Sequence, residues 1–240
     1  MTSLFAKAAV FLSAASLLAS CSSLESTTKT KSPSVLSKKR ADEIFNAKTK
    51  SDASQVTYNS FLPAEPSVAV KASASSRAKD KHGSPTYVRP EVRKRFVRTT
   101  AYSHMENEPG APGRLNAAGT ILKYGTVRSA AADWSRYPLG TTFKIKGLPH
   151  TYVVDDYGSA LVGTNTIDIF HPTLSKMRKW GTRQCEITVI QWGDWERTLK
   201  LLSGRTKYDH CRKMYYAARA AAGRNNVAST DPDPKTDAAL

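Results

Sequence analysis

One stretch of the chain decides the fold: Val153-Val-Asp-Asp-Tyr-Gly-Ser-Ala-Leu-Val-Gly-Thr-Asn-Thr-Ile-Asp-Ile-Phe170. Asp156 and Asp168 both follow β-branched apolar residues, and a loop with glycines separates them. The pattern therefore predicts two strands joined by a loop. A carboxylate at a strand end, beside a chain reversal, can face a ligand without placing its charge in the core.

The regions on either side of this stretch also have β character. Residues 141–146 alternate polar and apolar side chains, and a turn at residues 147–150 leads into residues 151–155, which predicts a hairpin. Further strands are predicted at 96–102, 166–170 and 185–192. The folded candidate spans residues 95–193, roughly a hundred residues, which is enough for one domain with a single core.

Helical patterns are few inside this region and dominate after it. Residues 171–180 predict a short helix, with Pro172 in its first turn and Gly181 at its end. Residues 194–222 predict a helical extension, and residues 223–240 a disordered tail. Several short strands with one helix indicate a mainly β domain, either a small barrel or a sandwich.

The N-terminal residues are typical of an export signal. Residues 8–19 form an apolar run that is too short for a confident membrane span. The run ends in Leu18-Ala-Ser-Cys21, which resembles the bacterial lipobox, whose cysteine is acylated after cleavage. We therefore expect a signal peptide over residues 1–21 and a lipid anchor on Cys21. That resemblance implies the outer membrane of a Gram-negative bacterium, facing the periplasm; the alternative is an ordinary secretory signal with a chance cysteine.

Residues 22–94 have a different composition, rich in Ser, Thr, Lys, Ala and Pro and without long apolar periodicity. Such a segment cannot bury enough surface to offset its ordering entropy, so we expect a disordered tether. If Cys21 is lipidated, Cys185 and Cys211 remain. In an oxidising compartment they would pair and fasten the C-terminal helix to the last strand; two independent buried thiols are the alternative.

The formal net charge of +16 favours an anionic partner. The export signal argues against nucleic acid. Peptidoglycan, whose stem peptides carry carboxylates, fits an exported chain better, and so do anionic lipid and lipopolysaccharide. Solvation of the tether is the alternative explanation. No phosphate loop, nucleophile elbow or paired zinc ligands are present in the sequence, and His104, Glu106 and Glu108 have no recognisable ligand spacing. We expect neither a cofactor nor a metal.

Seven short pieces occur in an order that is known from one family: Thr100-Ala-Tyr102, residues 125–132, Ala132-Asp133, Tyr137-Pro-Leu-Gly-Thr141, Asp156-Tyr-Gly158, Ile167-Asp-Ile-Phe170 and Trp180-Gly-Thr-Arg183. Through them the chain resembles the three-aspartate (3D) domain, which shares a six-stranded double-psi β-barrel with the catalytic domain of membrane-bound lytic transglycosylase A. Departures from the family occur at Tyr157, Ser159 and Val162 and at Trp134, so they affect the loops more than the barrel.

This resemblance implies cleavage of the β-1,4 bond between N-acetylmuramic acid and N-acetylglucosamine in peptidoglycan, with formation of a 1,6-anhydro ring. The sugar's own C6 hydroxyl attacks, so one acid can protonate the leaving oxygen and then accept the C6 proton. The resemblance assigns this role to Asp168. Asp156, or partial burial, would raise the pKa of Asp168, and Asp133 would orient the pair or hold a loop.

Candidates for substrate binding lie near these aspartates: Tyr102, Trp134, Tyr157 and Gly158, with Tyr137 as a further stacking candidate. Trp134 and Tyr137 are chosen because they lie beside an aspartate, and Tyr157 because a tyrosine can offer a face to a sugar. Taken alone, each aspartate has a structural alternative, such as organising a turn or satisfying backbone donors. Two other functions stay open, a peptidoglycan-binding module without catalysis and a hydrolase of another β-glucan. We expect the protein to act as a monomer.

Overall fold

The computed structural model of the chain describes residues 39–44, 62–88, 90–106 and 113–228. The predicted signal peptide with Cys21 lies outside the described residues, as does the end of the predicted tail, residues 229–240.

Six strands make up the centre of the fold: β1 (Lys94–Tyr102), β2 (Val127–Ala131), β3 (Thr142–Ile145), β4 (Thr151–Asp156), β5 (Thr166–Phe170) and β6 (Arg183–Gln191). They close into a barrel in the order β1-β5-β2-β4-β3-β6. The pairs β1/β5 and β2/β4 are parallel, and the other neighbours are antiparallel. This closed mixed barrel confirms the predicted fold class and is consistent with a double-psi barrel.

The barrel is filled by the apolar faces of its strands. Phe143 and Tyr152, which face each other in the predicted β3/β4 hairpin, stack with ring centroids 5.3 Å apart. Ile167 and Ile169 of β5 are fully buried in the same core. Because successive side chains of a strand alternate between its faces, Asp168, between these two isoleucines, points away from the barrel interior.

Beside a short helical segment at residues 39–44, the described part of the chain has four helices that accompany the barrel: α1 (Val68–Ser75), α2 (Leu174–Trp180), α3 (Trp195–Ser203) and α4 (Asp209–Ala228). Helix α2 begins later than predicted, because the Thr173 side chain accepts a hydrogen bond from the Lys176 N–H and caps it. Asp194 caps α3 in the same way through Arg197 N–H. The C-terminal helical extension is confirmed, and α4 continues to Ala228, into the predicted tail.

The prediction of a disordered tether over residues 22–94 is wrong for its last part. Residues 62–88 contain α1 and lie against the barrel: Ala64 N–H donates to Lys146 O at 2.9 Å, and Ser67 N–H donates to Glu186 Oε2 at 2.7 Å. Asn165 N–H donates to Asp80 Oδ2 at 2.6 Å. Helix α1 also buries Val70 and Ala74, but two small apolar residues are too few to give the sequence an apolar periodicity.

The predicted disulfide is also wrong. Cys185 and Cys211 are both buried free thiols with separate partners. Cys185 Sγ lies 3.3 Å from Thr99 Oγ1, and Cys211 Sγ donates to Tyr157 OH at 3.2 Å. Each thiol therefore packs independently, as in the alternative interpretation of the sequence.

Within the described ranges, no helix has both the length and the apolar character needed to cross a bilayer.

Candidate active site

Four side chains form a row across four neighbouring strands. Asp168 of β5 pairs with Thr100 of β1 on one side and with Ala131 of β2 on the other. Ala131 in turn pairs with Asp156 of β4. Residues paired in register share a face of the sheet, and Asp168 fixes that face as the outer one. Since neighbouring strands lie about 4.8 Å apart, the backbones of the two aspartates are about 10 Å apart, with only a methyl group between them.

A β-bulge in β4 brings Asp156 into this row. Ala130 pairs with Val154 but Ala131 pairs with Asp156, so Asp155 is an extra residue on β4. Regular alternation would place Asp155, and not Asp156, beside Ala131. The bulged Asp155 is instead buried, where Lys123 Nζ and Ser129 Oγ donate to its Oδ2.

The row forms part of the wall of a cleft of about 540 Å³, a volume within the usual range of ligand sites, about 300–1,000 Å³. Asp156, Asp168 and Ala131 line it from the barrel. The segment before β2 contributes Leu115 to Ala117, and Arg205 comes from the link between α3 and α4. The cleft therefore joins the barrel to residues far apart in the sequence.

Asp168 has the surroundings of a proton donor. Thr100 Oγ1 donates to its Oδ1 at 2.7 Å, and its Oδ2 takes no hydrogen bond from the described residues. Burial raises the pKa of Asp168 to about 6; the Thr100 hydrogen bond opposes this rise and the Glu106 carboxylate adds to it. The predicted raised pKa thus has burial as its main cause, and the neighbouring carboxylate that contributes is Glu106, not Asp156.

Asp156 is held more firmly. Its Oδ1 accepts from the Ala117 and Tyr157 N–H groups, both at 2.9 Å, and its Oδ2 accepts from Tyr102 OH at 3.1 Å. Burial raises the pKa of Asp156 to about 6, while these three donors favour its ionised form and work against the rise. The same burial, with the neighbouring carboxylates, raises the pKa of Tyr102 well above its usual value, so its hydroxyl stays a donor.

Asp133 does not join this row, so of its two predicted roles, orienting the catalytic pair or holding a loop, the geometry favours the second. It is 2% exposed and does not line the cleft. Its Oδ1 accepts from Ser135 N–H and Ser135 Oγ, and its Oδ2 accepts from Gly163 N–H at 2.7 Å. Arg136 Nε lies 3.8 Å from the same Oδ2. These bonds tie the β2–β3 connection to the β4–β5 loop, so Asp133 holds loops in place.

The predicted substrate-binding residues divide into two groups. Tyr102, Tyr157 and Gly158 line the cleft, as predicted. Trp134 and Tyr137 do not: their side chains are 0% and 1% exposed. Trp134 Nε1 donates to Asp156 O at 2.9 Å and its ring meets Tyr157 edge-on, while Tyr137 OH donates to Asn165 Oδ1. Neither buried ring can stack on a sugar.

Two residues that hold Asp156 in place, Ala117 and Arg205, were absent from the sequence prediction. Arg205 Nη2 donates to Ala117 O at 2.8 Å, and its Nη1 donates to Tyr157 OH at 3.3 Å. Ala117 in turn donates to Asp156. Arg205 lies in the helical extension, and no local pattern connects it with a barrel strand.

In the part of the chain that the structure describes, no three His, Cys, Asp or Glu side chains are grouped as metal ligands.

The comparison with protein families agrees with this geometry. Residues 128–191 match the family model for the 3D domain. The matched span contains all three aspartates, whereas Thr100 and Tyr102 of β1 and Arg205 of the extension lie outside it. No curated protein is significantly similar to the chain.

Proposed function

We propose that this chain, whose residues 128–191 form a 3D domain, remodels peptidoglycan as a lytic transglycosylase. It would cleave the β-1,4 bond between N-acetylmuramic acid and N-acetylglucosamine. One observation supports this function above all others: Asp168, whose pKa burial raises to about 6, lines an open cleft and accepts only the Thr100 hydrogen bond among the described residues. A carboxyl of this kind can hold a proton near neutral pH and release it to a substrate.

The proposed reaction needs one proton donor and no water. Asp168 gives its proton to the glycosidic oxygen as the bond from C1 of N-acetylmuramic acid breaks. The C6 hydroxyl of the same sugar forms the new bond to C1, and its proton passes to the carboxylate of Asp168. The residue ends the cycle protonated, as it began. Thr100, which donates to Oδ1, orients the carboxyl so that Oδ2 is the oxygen that carries the proton.

Asp156 supports this chemistry as a fixed charge. Three donors favour its ionised form, so it carries a negative charge as the pH rises above about 6. A negative charge fixed across Ala131 from Asp168 stabilises the positive charge that develops on the sugar ring as the glycosidic bond breaks. Its position in the row is therefore suited to an electrostatic role.

The proposed place of action follows from the sequence. Acylation of Cys21 would anchor the chain to the outer membrane of a Gram-negative bacterium, and the segment that follows would let the barrel reach the peptidoglycan. A Cys21→Ser variant should lose incorporation of labelled palmitate and leave the membrane fraction. Unchanged labelling of that variant would rule out the anchor.

Digestion of purified sacculi, followed by mass analysis of the products, tests the reaction. We expect 1,6-anhydro ends from the wild type and none from Asp168→Asn, which should still sediment with sacculi. Asp209→Asn is a matched control, because Asp209 is exposed on α4 and pairs with Arg212 and Lys213. Normal cutting by Asp168→Asn would refute the role of Asp168.

A hydrolase of a β-glucan is the second candidate, and the gap at Ala131 favours it. Two carboxyls separated by a methyl group leave room for a water molecule between acid and base, as inverting hydrolysis requires. Reducing ends in the same assay would identify hydrolysis.

Sedimentation with sacculi and no product from the wild type would identify a binding module.

A further inference from the structure

A second cavity of about 500 Å³ shares no lining residue with the first cleft. Its walls come from separate parts of the chain: Tyr87 and Pro90 before β1, Arg95 of β1, Arg136, α4, and Trp192, Gly193 and Trp195 after β6. We call it the arginine pocket. The function proposed above makes no use of it.

The charge of the arginine pocket has one sign. Arg95, Arg136 and Arg224 line it, and no Asp or Glu is among its described lining residues. Arg136 does approach Asp133, at 3.8 Å, but Ser135 and Gly163 already donate to both oxygens of that carboxylate. Arginine is the side chain best suited to bind a carboxylate through two parallel hydrogen bonds. The pocket therefore favours an anionic ligand.

Arg95 is fixed before any ligand arrives. It is 2% exposed, and its guanidinium carbon lies 4.7 Å from the Trp192 ring centroid and 5.0 Å from that of Tyr87. Its Nε donates to Val92 O at 2.7 Å. Cation–π contacts stabilise the charge in this position. A guanidinium that is already ordered loses little side-chain entropy when an anion binds, which favours binding.

The wall beside the arginines is aromatic and rigid. Trp192 and Trp195 are half-buried, and Trp192 Nε1 donates to Pro90 O at 3.2 Å. Gly193 lies between them, and a Cβ there would lie 2.2 Å from Pro138 O, so the backbone allows no side chain at this position. This segment thus presents two indole rings next to a positive pocket. A small inorganic anion would leave most of the cavity volume empty and would make no contact with the two indole rings.

We infer that the arginine pocket binds a short acidic peptide, with its carboxylates on the arginines and its aliphatic parts against Trp192 and Trp195. This inference rests on the proposed function for its source of the peptide: the stem peptides of the same peptidoglycan strands that the cleft cleaves. Arg224, on the exposed side of α4, and Arg136 would receive the carboxylates nearest to solvent, while Arg95 supplies the buried charge.

Calorimetric titration of the full chain with the tripeptide N-acetyl-alanyl-γ-glutamyl-lysine, whose acetylated N-terminus leaves it net negative, tests this inference. We expect binding of the tripeptide and at least about a tenfold loss of affinity when its carboxylates are amidated, since charge-assisted hydrogen bonds are the strong ones. Arg224→Gln should weaken binding by about threefold to tenfold. Arg219→Gln is the matched control, because Arg219 is exposed on the same helix and does not line the pocket.

Inorganic phosphate and peptide-free glycan strands complete the experiment. Phosphate that binds more tightly than the tripeptide, with the same dependence on Arg224, would overturn the peptide assignment, and so would the absence of any tripeptide binding. Cleavage of peptide-free strands should be equal in Arg224→Gln and the wild type. Failure of the wild type to release anhydro ends from sacculi would refute the proposed function alone, because tripeptide binding is measured without catalysis.

Discussion

Asp133 and Asp168 belong to the same domain, yet their carboxylates have opposite surroundings. Asp133 is almost completely buried, and both of its oxygens accept hydrogen bonds from Ser135 and Gly163. Asp168 is only partly buried and accepts one hydrogen bond, from Thr100, within the described part of the chain. The first carboxylate has no oxygen left for a substrate, and the second has one.

This difference shows that the number of occupied hydrogen-bond sites separates the two roles better than burial does. A carboxylate whose donors are all internal stabilises the loops that supply them. A carboxylate with a raised pKa and an unoccupied oxygen in a cleft can exchange a proton. The same conservative change, aspartate to asparagine, should therefore have opposite consequences at the two positions.

The largest effect is expected for catalysis by Asp168→Asn. Asparagine keeps the shape and still accepts from Thr100 but carries no acidic proton, so the rate of anhydro-product formation should fall by about 10²–10⁴-fold. The thermal unfolding midpoint should not fall, and this distinguishes loss of chemistry from loss of fold. If Asp168→Asn loses activity only to the extent that it unfolds, then Asp168, like Asp133, has a structural role and not a catalytic one.

The pH dependence sharpens the same contrast. Burial raises the pKa of Asp168 to about 6, so the fraction of enzyme that carries the required proton falls about tenfold for each pH unit above that value. Activity on sacculi should therefore decline from pH 6 towards pH 8. Because Asp156 also has a pKa of about 6, the profile of Asp156→Asn decides the assignment: its residual activity should keep the same decline. If Asp156→Asn instead keeps constant activity between pH 6 and pH 8, the titrating group is Asp156.

Sequence alone predicted much of the barrel because alternation and turn residues are local signals. The β3/β4 hairpin and β5 were found in this way, and the resemblance supplied Asp156 and Asp168. Strand β2 gave no periodic signal of its own, because Val127–Ala131 is short and its small side chains carry little apolar pattern. Only the resemblance of residues 125–132 to the family indicated this strand. Yet Ala131 is the residue that sets the two aspartates side by side.

The other features of the site depend on contacts between distant parts of the chain. The bulge at Asp155 determines which of two adjacent aspartates faces the cleft, and the sequence contains both without distinguishing them. Trp134 was assigned to sugar stacking because it adjoins an aspartate, but its indole is buried with a hydrogen bond to Asp156 O. Burial of a single aromatic side chain depends on packing between elements, which adjacency in sequence does not report.

Stability gives the third comparison of the two aspartates. In Asp133→Asn the amide NH₂ faces the Gly163 N–H, which loses its acceptor, so the free energy of unfolding should fall by about 1–3 kcal/mol. For Asp168 the sign is reversed. The folded pKa lies above the ordinary value of 3.8, so the stabilising contribution of this group is complete below pH 3.8 and is lost as the pH rises through about 6.

Asp168→Asn should consequently be more stable than the wild type at pH 7, by up to about 3 kcal/mol at about 1.4 kcal/mol per pKa unit, and no more stable at pH 3.5. Urea unfolding at both pH values measures this. If both variants lose stability equally at pH 7, the two carboxylates do not differ as described.

The smallest expected effect concerns Arg205, which connects the helical extension to the catalytic row. Its guanidinium donates to Ala117 O, and Ala117 N–H donates to Asp156, so Arg205 is a positioning residue for the fixed charge. Arg205→Gln removes about one net hydrogen bond, worth about 1 kcal/mol, and should lower kcat by about threefold to tenfold with KM nearly unchanged. Arg212→Gln is the matched control, because Arg212 pairs only with exposed Asp209 among the described residues. A change in KM alone would mean that Arg205 contacts the substrate directly, and Arg205→Lys, which keeps the charge, should then restore KM.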